Sequence, residues 1–251
     1  MHPEEYRKLY EMEKVYWWHI GRRSIIFSLI KKFVVGSNKH LKIIDIGCGS
    51  GSMLGVLANF GEVLGVDDND AALNFARQNG FSNVRRIDDA HLRKESDFHN
   101  SFDLVTCLDV MEHVDDDEFL LREIFQILKP GGCVLIAVPA YNFLWSEHDE
   151  ALYHKRRYTA SELHRKLNNA GFAVIKRSYA ITFLFPLILF YRLFRGIFPK
   201  DSHEPKTSYV MLPKSINTFF VFILGIESRL LNYINLPFGS SVICIAKKLK
   251  D

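Results

Sequence analysis

Three short clusters in this chain combine residue types that can do chemistry. The first is Asp45-Ile46-Gly47-Cys48-Gly49-Ser50-Gly51, an acid followed by glycines at alternate positions. Such glycines let a backbone pass close to a ligand, and the N–H groups of a helix that starts there are free to donate to it. The spacing is not the dinucleotide fingerprint G-x-G-x-x-G, because Ser52 stands where the third glycine would be. The second cluster is Asp109-x-x-Glu112-His113. On a helical turn these three would share one face, where they could wall a pocket or ligate an ion. The third runs from Trp145 through His148 and Asp149 to His154, Arg156, Arg157 and Tyr158. A histidine of near-neutral pKa can take a hydroxyl proton, and paired arginines can grip phosphate or carboxylate. The alternative is a loop closed on itself, with Asp149 pairing with an arginine.

The elements that must position these residues follow from periodicity. Short Val- and Ile-rich runs at 42–46, 62–67, 83–88, 102–108 and 133–138 alternate with helical stretches at 51–60, 69–79 and 115–128. That alternation predicts a parallel sheet with helices on both faces. Lys129-Pro130-Gly131-Gly132 marks a helix end, because proline cannot continue a helix and glycine accepts the left-handed turn. Thr159 followed by Glu162 opens a helix to about Ala170, Gly171 ends it, and 172–179 reads as a sixth strand. Residues 3–35 read as helix, broken at Gly21; 181–198 and 214–235 are apolar and helical, and 241–248 is a last strand. The expected units are an N-terminal helical cap at 1–36, a ligand-binding domain at 37–180 completed by 241–251, and a helical insertion at 181–240.

Composition sets outer bounds. The 251 residues, 48% hydrophobic and 24% charged, suit one large globular domain and exclude a disordered chain, a collagen-like chain or a coiled coil. Four dispersed cysteines point to neither a disulfide framework nor a thiolate metal site, and hence to the cytoplasm. The polar, acidic start is not a signal peptide, and no apolar run reaches the ~18 residues of a spanning helix. Charge is uneven: residues 1–154 carry sixteen Lys and Arg against twenty-four Asp and Glu, and 155–251 carry sixteen against five.

Taken in order, D-I-G-C-G-S-G at 45–51, Val63-Leu64-Gly65-Val66-Asp67, Asp88-Asp89-Ala90, Phe102-Asp103-Leu104-Val105 and Leu128-Lys129-Pro130-Gly131-Gly132 resemble the motifs of class I S-adenosylmethionine-dependent methyltransferases, over residues 40 to 180. The resemblance implies a Rossmann-like α/β fold with a seven-stranded, mostly parallel sheet in the order 3-2-1-4-5-7-6. It implies S-adenosyl-L-methionine as cofactor, with Asp45 and Gly47 near its amino acid portion, Gly49 and Gly51 permitting close approach, and Asp67 on the ribose hydroxyls. Asp89 with Ala90 would hold the adenine; Cys48, Asp68 and Leu108 complete the candidate set. Asp109-x-x-Glu112-His113 resembles the acid-x-x-Glu-His of ubiquinone-type O-methyltransferases, which can hold a divalent ion. Asp109 replaces the usual Glu, so the expectation is a wall between cofactor and acceptor and no metal.

The 145–158 loop lies beyond the C-terminal end of the fifth strand, where α/β folds place their ligand crevice, and is expected to be the acceptor site, with His148, His154 and His113 as candidate bases and Trp145, Asp149, Arg156, Arg157 and Tyr158 as acceptor contacts. Both it and Tyr16-Trp17-Trp18-x-x-Gly21-Arg22-Arg23, which adds Trp18 to the contacts, resemble bacterial methyltransferases of envelope glycans and lipid-linked sugars. The expected activity is O-methylation of a small-molecule, glycan or lipid-linked acceptor, with a noncatalytic cofactor-binding scaffold as the alternative and nucleic acid as the least expected partner. The apolar insertion, with Arg192, Arg195 and Lys200 beside it, suits peripheral association with the inner face of a membrane, a homodimer interface or an acceptor tunnel.

Overall fold

The computed structural model describes residues 10–36, 40–87, 89–195 and 212–250. Seven strands form one sheet: β1 (Leu41–Ile46), β2 (Gly61–Asp67), β3 (Val84–Arg86), β4 (Phe102–Leu108), β5 (Leu128–Pro139), β6 (Phe172–Ala180) and β7 (Ser241–Lys248). Their order is β3-β2-β1-β4-β5-β7-β6, parallel from β3 to β5, with β7 antiparallel to both neighbours. This is the order the motifs imply.

Strand residues alternate between two cores. Ile44 and Ile46 of β1, Val134, Ile136 and Val138 of β5, and Val242 and Cys244 of β7 face one. Leu41 and Ile43, Leu135 and Ala137, and Ile243 and Ile245 face the other. A strand buried on both faces must read as a continuous apolar run, which is why these segments show no polar alternation. The first core is closed by α4 (Asp117–Ile127) and α6 (Ala160–Asn169) through Leu120, Leu121, Ile124, Leu163 and Leu167. The second is closed by α1 (Trp17–Phe33) and α8 (Lys214–Leu230) through Ile25, Ile26, Leu29, Ile30 and Leu224. The remaining helices are α2 (Leu54–Leu57), α3 (Asp70–Gln78), α5 (Glu147–Ala151) and α7 (Phe185–Arg195).

The N-terminal cap and the insertion meet. Ser228 Oγ donates to Ser24 O at 3.0 Å, Asn232 Nδ2 to Ser28 Oγ at 2.7 Å, and Trp17 N to Asn217 Oδ1 at 2.9 Å. The pairs advance together in sequence, so α1 and α8 run parallel. Gly21 does not break the helix: α1 runs through it, and a side chain there would collide with Leu224 of α8. The glycine serves helix-to-helix approach. The expected helix 51–60 contracts to α2, whose flanks are tight turns, and β5 starts at Leu128, so Lys129 to Gly132 lie inside the strand. α7 and α8 are shorter than the apolar runs that contain them. Buried Glu227 of α8 accepts from the backbone N–H groups of Ile181, Thr182 and Phe183, anchoring the turn into α7.

Candidate functional site

The glycine-rich turn lies at the C-terminal end of β1, where the strand order reverses between β1 and β4, the place at which open α/β sheets bind ligands. Gly47 and Gly49 both have left-handed φ, +70° and +53°. A side chain at Gly47 would collide with Val110, whereas at Gly49 no atom lies within 4 Å of the place a Cβ would take. Gly49 N donates to Asp67 Oδ2 at 2.8 Å and Asn69 N to Asp67 Oδ1 at 3.0 Å. Burial raises the Asp67 pKa against the pull of those two donors. A carboxylate offers about four acceptor positions, so Asp67 keeps capacity for two more.

Asp45 is buried and accepts from Thr106 Oγ1 at 2.6 Å. Burial pushes its pKa up to about 7, against the pull of Thr106 and Arg22. The Cys48 side chain packs with Leu54, Leu73, Ala76 and Val84 beneath the turn, and its backbone is tied down as well, its N–H donating to Val66 O and its carbonyl accepting from Gly51 N, both at 3.0 Å. Asp68 is exposed, Leu108 packs partly buried against the α1 side of the sheet, and Asp89 and Ala90 open a 3-10 turn, Asp89–Lys94. Asp88 lies outside the described residues.

Asp109, Glu112 and His113 do not share a face. The segment after β4 is a turn rather than a helix, Asp109 takes φ +56°, and its carboxylate pairs with Arg22 of α1. Glu112 is fully buried, and neither carboxylate oxygen has a hydrogen-bond partner. Burial raises its pKa to about 8, opposed by its own backbone N–H and by Arg22 and Arg157. His113 meets His154 instead, the rings edge to face with centroids 4.9 Å apart. Burial and the neighbouring His154 lower the His113 pKa to about 4.

The 145–158 loop is stitched to that turn. Lys155 N donates to Glu112 O at 2.7 Å, and Arg156 Nη2 to Val114 O and Asp115 O at 3.1 and 2.8 Å. Here the expectation of free acceptor contacts is corrected. Asp149 is wholly buried as the counterion of Arg157, with Nε–Oδ1 at 2.7 Å and Nη2–Oδ2 at 3.0 Å, while Arg157 Nη1 donates to Ala140 O at 2.9 Å. Arg156 lies 3.5 Å from Asp117, and buried Tyr158 donates to Asp117 at 2.7 Å and Met111 O at 3.0 Å. Satisfied internally, Arg157 and Tyr158 are not available to grip an anionic acceptor. His148, in α5, is partly buried, and burial together with Arg192 lowers its pKa to about 4. Trp145 is partly exposed, and Trp18 lies under the Arg22 guanidinium, 5.0 Å from its ring centre. His154 Nδ1 is 2.9 Å from Asp149 Oδ1, an imidazole oriented by a buried carboxylate.

Two groups were missed by sequence reasoning. Arg22 stands between Asp109 and the fields of Asp45 and Glu112, linking the glycine turn to the Glu112 cluster. Its signal was the Arg22-Arg23 pair in the aromatic N-terminal motif. Glu13 accepts from Ser50 Oγ at 2.7 Å, and Tyr10 packs edge-on to Phe75, so the helical residues 10–15 lie across the glycine turn. Nothing in the local pattern distinguishes Glu13 from its acidic neighbours.

A family model described as a methyltransferase domain matches residues 17–177. The ubiquinone biosynthesis O-methyltransferase of Stutzerimonas stutzeri is 36% identical over 100 residues, 38% of this chain and 43% of that protein. The chain thus spans less than half the length of such curated relatives. Among solved structures, the complex between the Haloferax volcanii Trm112 methyltransferase activator and a methyltransferase matches with TM-score 0.62 at 19% identity, over 99% of this chain and 96% of that one. Phosphoethanolamine N-methyltransferase 2 of Haemonchus contortus, in complex with S-adenosyl-L-methionine, matches with TM-score 0.57 at 20% identity, over 90% of this chain and 52% of that one. At such identities the structural likeness is one of fold.

Proposed function

This chain belongs to the methyltransferase-domain family, and we propose that it is an S-adenosylmethionine-dependent enzyme that methylates an oxygen of a small-molecule, glycan or lipid-linked acceptor. The observation that carries the reading is the turn whose Gly49 leaves its Cβ space open while its N–H fixes Asp67. That open space fits a ligand at close range, and the spare acceptor capacity of Asp67 suits vicinal hydroxyls. S-adenosylmethionine, when bound, supplies an electrophilic methyl carbon on a sulfonium. Asp67 would take the ribose hydroxyls, Asp45 would face the ammonium of the amino acid portion, and Asp89 with Ala90 would hold the adenine. In-line displacement asks chiefly for alignment, which the turn and the wall after β4 would provide. The acceptor's hydroxyl proton would pass to an imidazole, His154, which Asp149 orients, or His113 beside it.

Asp67→Ala should weaken S-adenosylmethionine binding about 10- to 100-fold, the loss of ~1.5–3 kcal/mol of charged hydrogen bonding. Isothermal calorimetry is the measurement, and unchanged affinity would remove Asp67 from the site.

The proposal extends to location. Among the described residues no helix is long and apolar enough to cross a membrane. α7 nevertheless exposes Leu187, Phe190 and Tyr191, and α8 exposes Ile216, Phe219, Phe222 and Ile226. Residues 155–214 carry twelve Lys and Arg against three acids, so the occupant we assign to these stripes is the anionic inner surface of a membrane, where a lipid-linked acceptor resides. Arg192 is not one of the lipid-facing cations: it turns inward to Leu144 O and lies 3.6 Å from Asp149. Lys200 and the Arg195 side chain lie outside the described residues. Anionic vesicles should sediment the protein, less so at high salt, and Phe219→Glu with Phe222→Glu should abolish the effect. A species near twice 29.1 kDa with no vesicle binding at low salt would replace this reading with a dimer interface.

A further inference from the structure

α7 takes part in two surfaces at once. Phe185, Ile188 and Arg192, spaced three and four residues apart, share the face turned toward the sheet. The Phe185 ring centre lies 6.1 Å from that of Tyr141 and 5.7 Å from that of Phe238, and Ile188 packs against the second core. Leu187, Phe190 and Tyr191, with the same spacing, lie on the opposite face and are exposed. On the inner face Arg192 donates to Leu144 O and brings its guanidinium to 3.6 Å from the Asp149 carboxylate. Leu144 closes the 3-10 turn Asn142–Leu144, and Ser146, two residues on, is the N-cap of α5. One side chain of α7 thus touches both the lead-in to α5 and the acid that orients His154.

The charge balance of the loop does not call for that side chain. Arg157 already neutralises Asp149 through two bonds, and His154 Nδ1 and Ser146 N take further positions on the same carboxylate. A second guanidinium beside the first is repelled by it, and burial and Arg157 lower the Arg192 pKa to about 10. What Arg192 adds is a link between the helix and the histidine. Asp149 is held ionised by its donors and can only accept, so His154 Nδ1 carries the proton and Nε2 is the basic nitrogen. A carboxylate that turns away from His154 releases both that tautomer and the ring.

We infer that Arg192 is a positioning residue: it holds Asp149 against His154, and through it the seating of α7 on a lipid surface is transmitted to the acceptor histidine. The inference rests on the proposed readings of His154 and of the α7 stripe. Frayed or detached states of α7 scatter Leu187, Phe190 and Tyr191, so a bilayer that binds them as one stripe favours the seated helix. The seated helix is the one that places Arg192 on Leu144 O and Asp149. An enzyme built this way has its base ordered where a lipid-linked acceptor resides.

The test combines magnetic resonance of isotope-labelled histidines with hydrogen exchange of residues 144–154. Both are recorded with and without vesicles of equal parts phosphatidylglycerol and phosphatidylcholine. Wild type should show a slowly exchanging, downfield His154 Nδ1–H, identified by its absence in His154→Gln, and vesicles should slow exchange across 144–154 about tenfold. Arg192→Met should lose the resonance and speed that exchange about tenfold while the strands stay protected. It should still sediment with the vesicles, without the slowing. Arg192→Lys, which keeps the charge and a donor for Leu144 O, should restore the resonance. Phe219→Glu with Phe222→Glu, which leaves Arg192 in place, should keep the resonance and lose the vesicle effect; should Arg192→Met fail to fold, this variant and wild type still decide.

A resonance retained in Arg192→Met, or faster exchange spread equally over the strands and not restored by lysine, would overturn the assignment. Vesicle binding by wild type that leaves 144–154 unchanged would overturn it too. If wild type binds no vesicles, the membrane reading and the transmission fall together, and the Met and Lys variants in solution still decide whether Arg192 positions His154. None of these measurements uses turnover or cofactor, so calorimetry with S-adenosylmethionine tests the methyltransferase reading separately.

Discussion

Asp149→Ala is expected to destabilise the protein by about 3–5 kcal/mol, because it strands a buried guanidinium. Asp149 holds Arg157 through two bonds, accepts from Ser146 N at 2.9 Å to start α5, and orients His154. These donors hold its pKa well below the usual carboxylate range despite burial. A depressed carboxylate pKa contributes stability that is present above the unfolded value near 4 and is lost as pH falls below it. Urea unfolding at pH 7 should therefore show the full loss, and at pH 3 a smaller difference from wild type. The double variant Asp149→Leu with Arg157→Met should recover much of the stability, since neither charge is then left alone. A single-variant loss under ~1 kcal/mol would mean that water reaches Arg157 and that the loop is open rather than packed.

That expectation reverses the first reading of the same residues, and the reversal shows what a linear pattern carries. Strands buried on both faces leave continuous apolar runs, and the Gly47–Gly51 turn leaves glycines, because each constraint acts on consecutive residues. Sheet order and the cofactor side of the site were therefore legible. A histidine, an acid and two arginines close together in sequence look the same whether they face a ligand or one another. Only the depth of the loop, set by stitching to the turn after β4 and by Arg192 arriving from α7, decides between them. Gly21 was misread for the same reason: its partner Leu224 is two hundred residues away, and a glycine in a helix looks like a break until a second helix needs the room. Likewise the shared face of Asp109, Glu112 and His113 presumed a helix, whereas the positive φ at Asp109 turns that acid toward Arg22.

The second large effect is expected at Asp45, and it ties stability to ligand binding. Burial raises its pKa from 3.8 to about 7; Thr106 and Arg22 pull the value down and Asp67 pushes it up. Between about pH 4 and 7 the folded protein keeps a proton that the unfolded chain has released, so this contribution is complete below pH 4 and lost as pH rises through 7. A shift of about three units corresponds to on the order of 3–4 kcal/mol. Asp45→Asn, which keeps an acceptor for Thr106, should flatten that dependence and be the more stable form at pH 8. Binding should run the other way. If Asp45 faces the cofactor's ammonium, the ligand favours the ionised carboxyl, so affinity should rise up to about tenfold per pH unit below 7 and level off above it. Calorimetry at pH 6.5 in buffers of different ionisation enthalpy should detect proton release on binding. The Asp67 pKa is also raised by burial, and the assignment therefore rests on Asp45→Asn losing both the pH slope and the released proton. A slope retained in that variant would transfer the effect to Asp67, and an affinity independent of pH would place Asp45 beneath the site rather than in it.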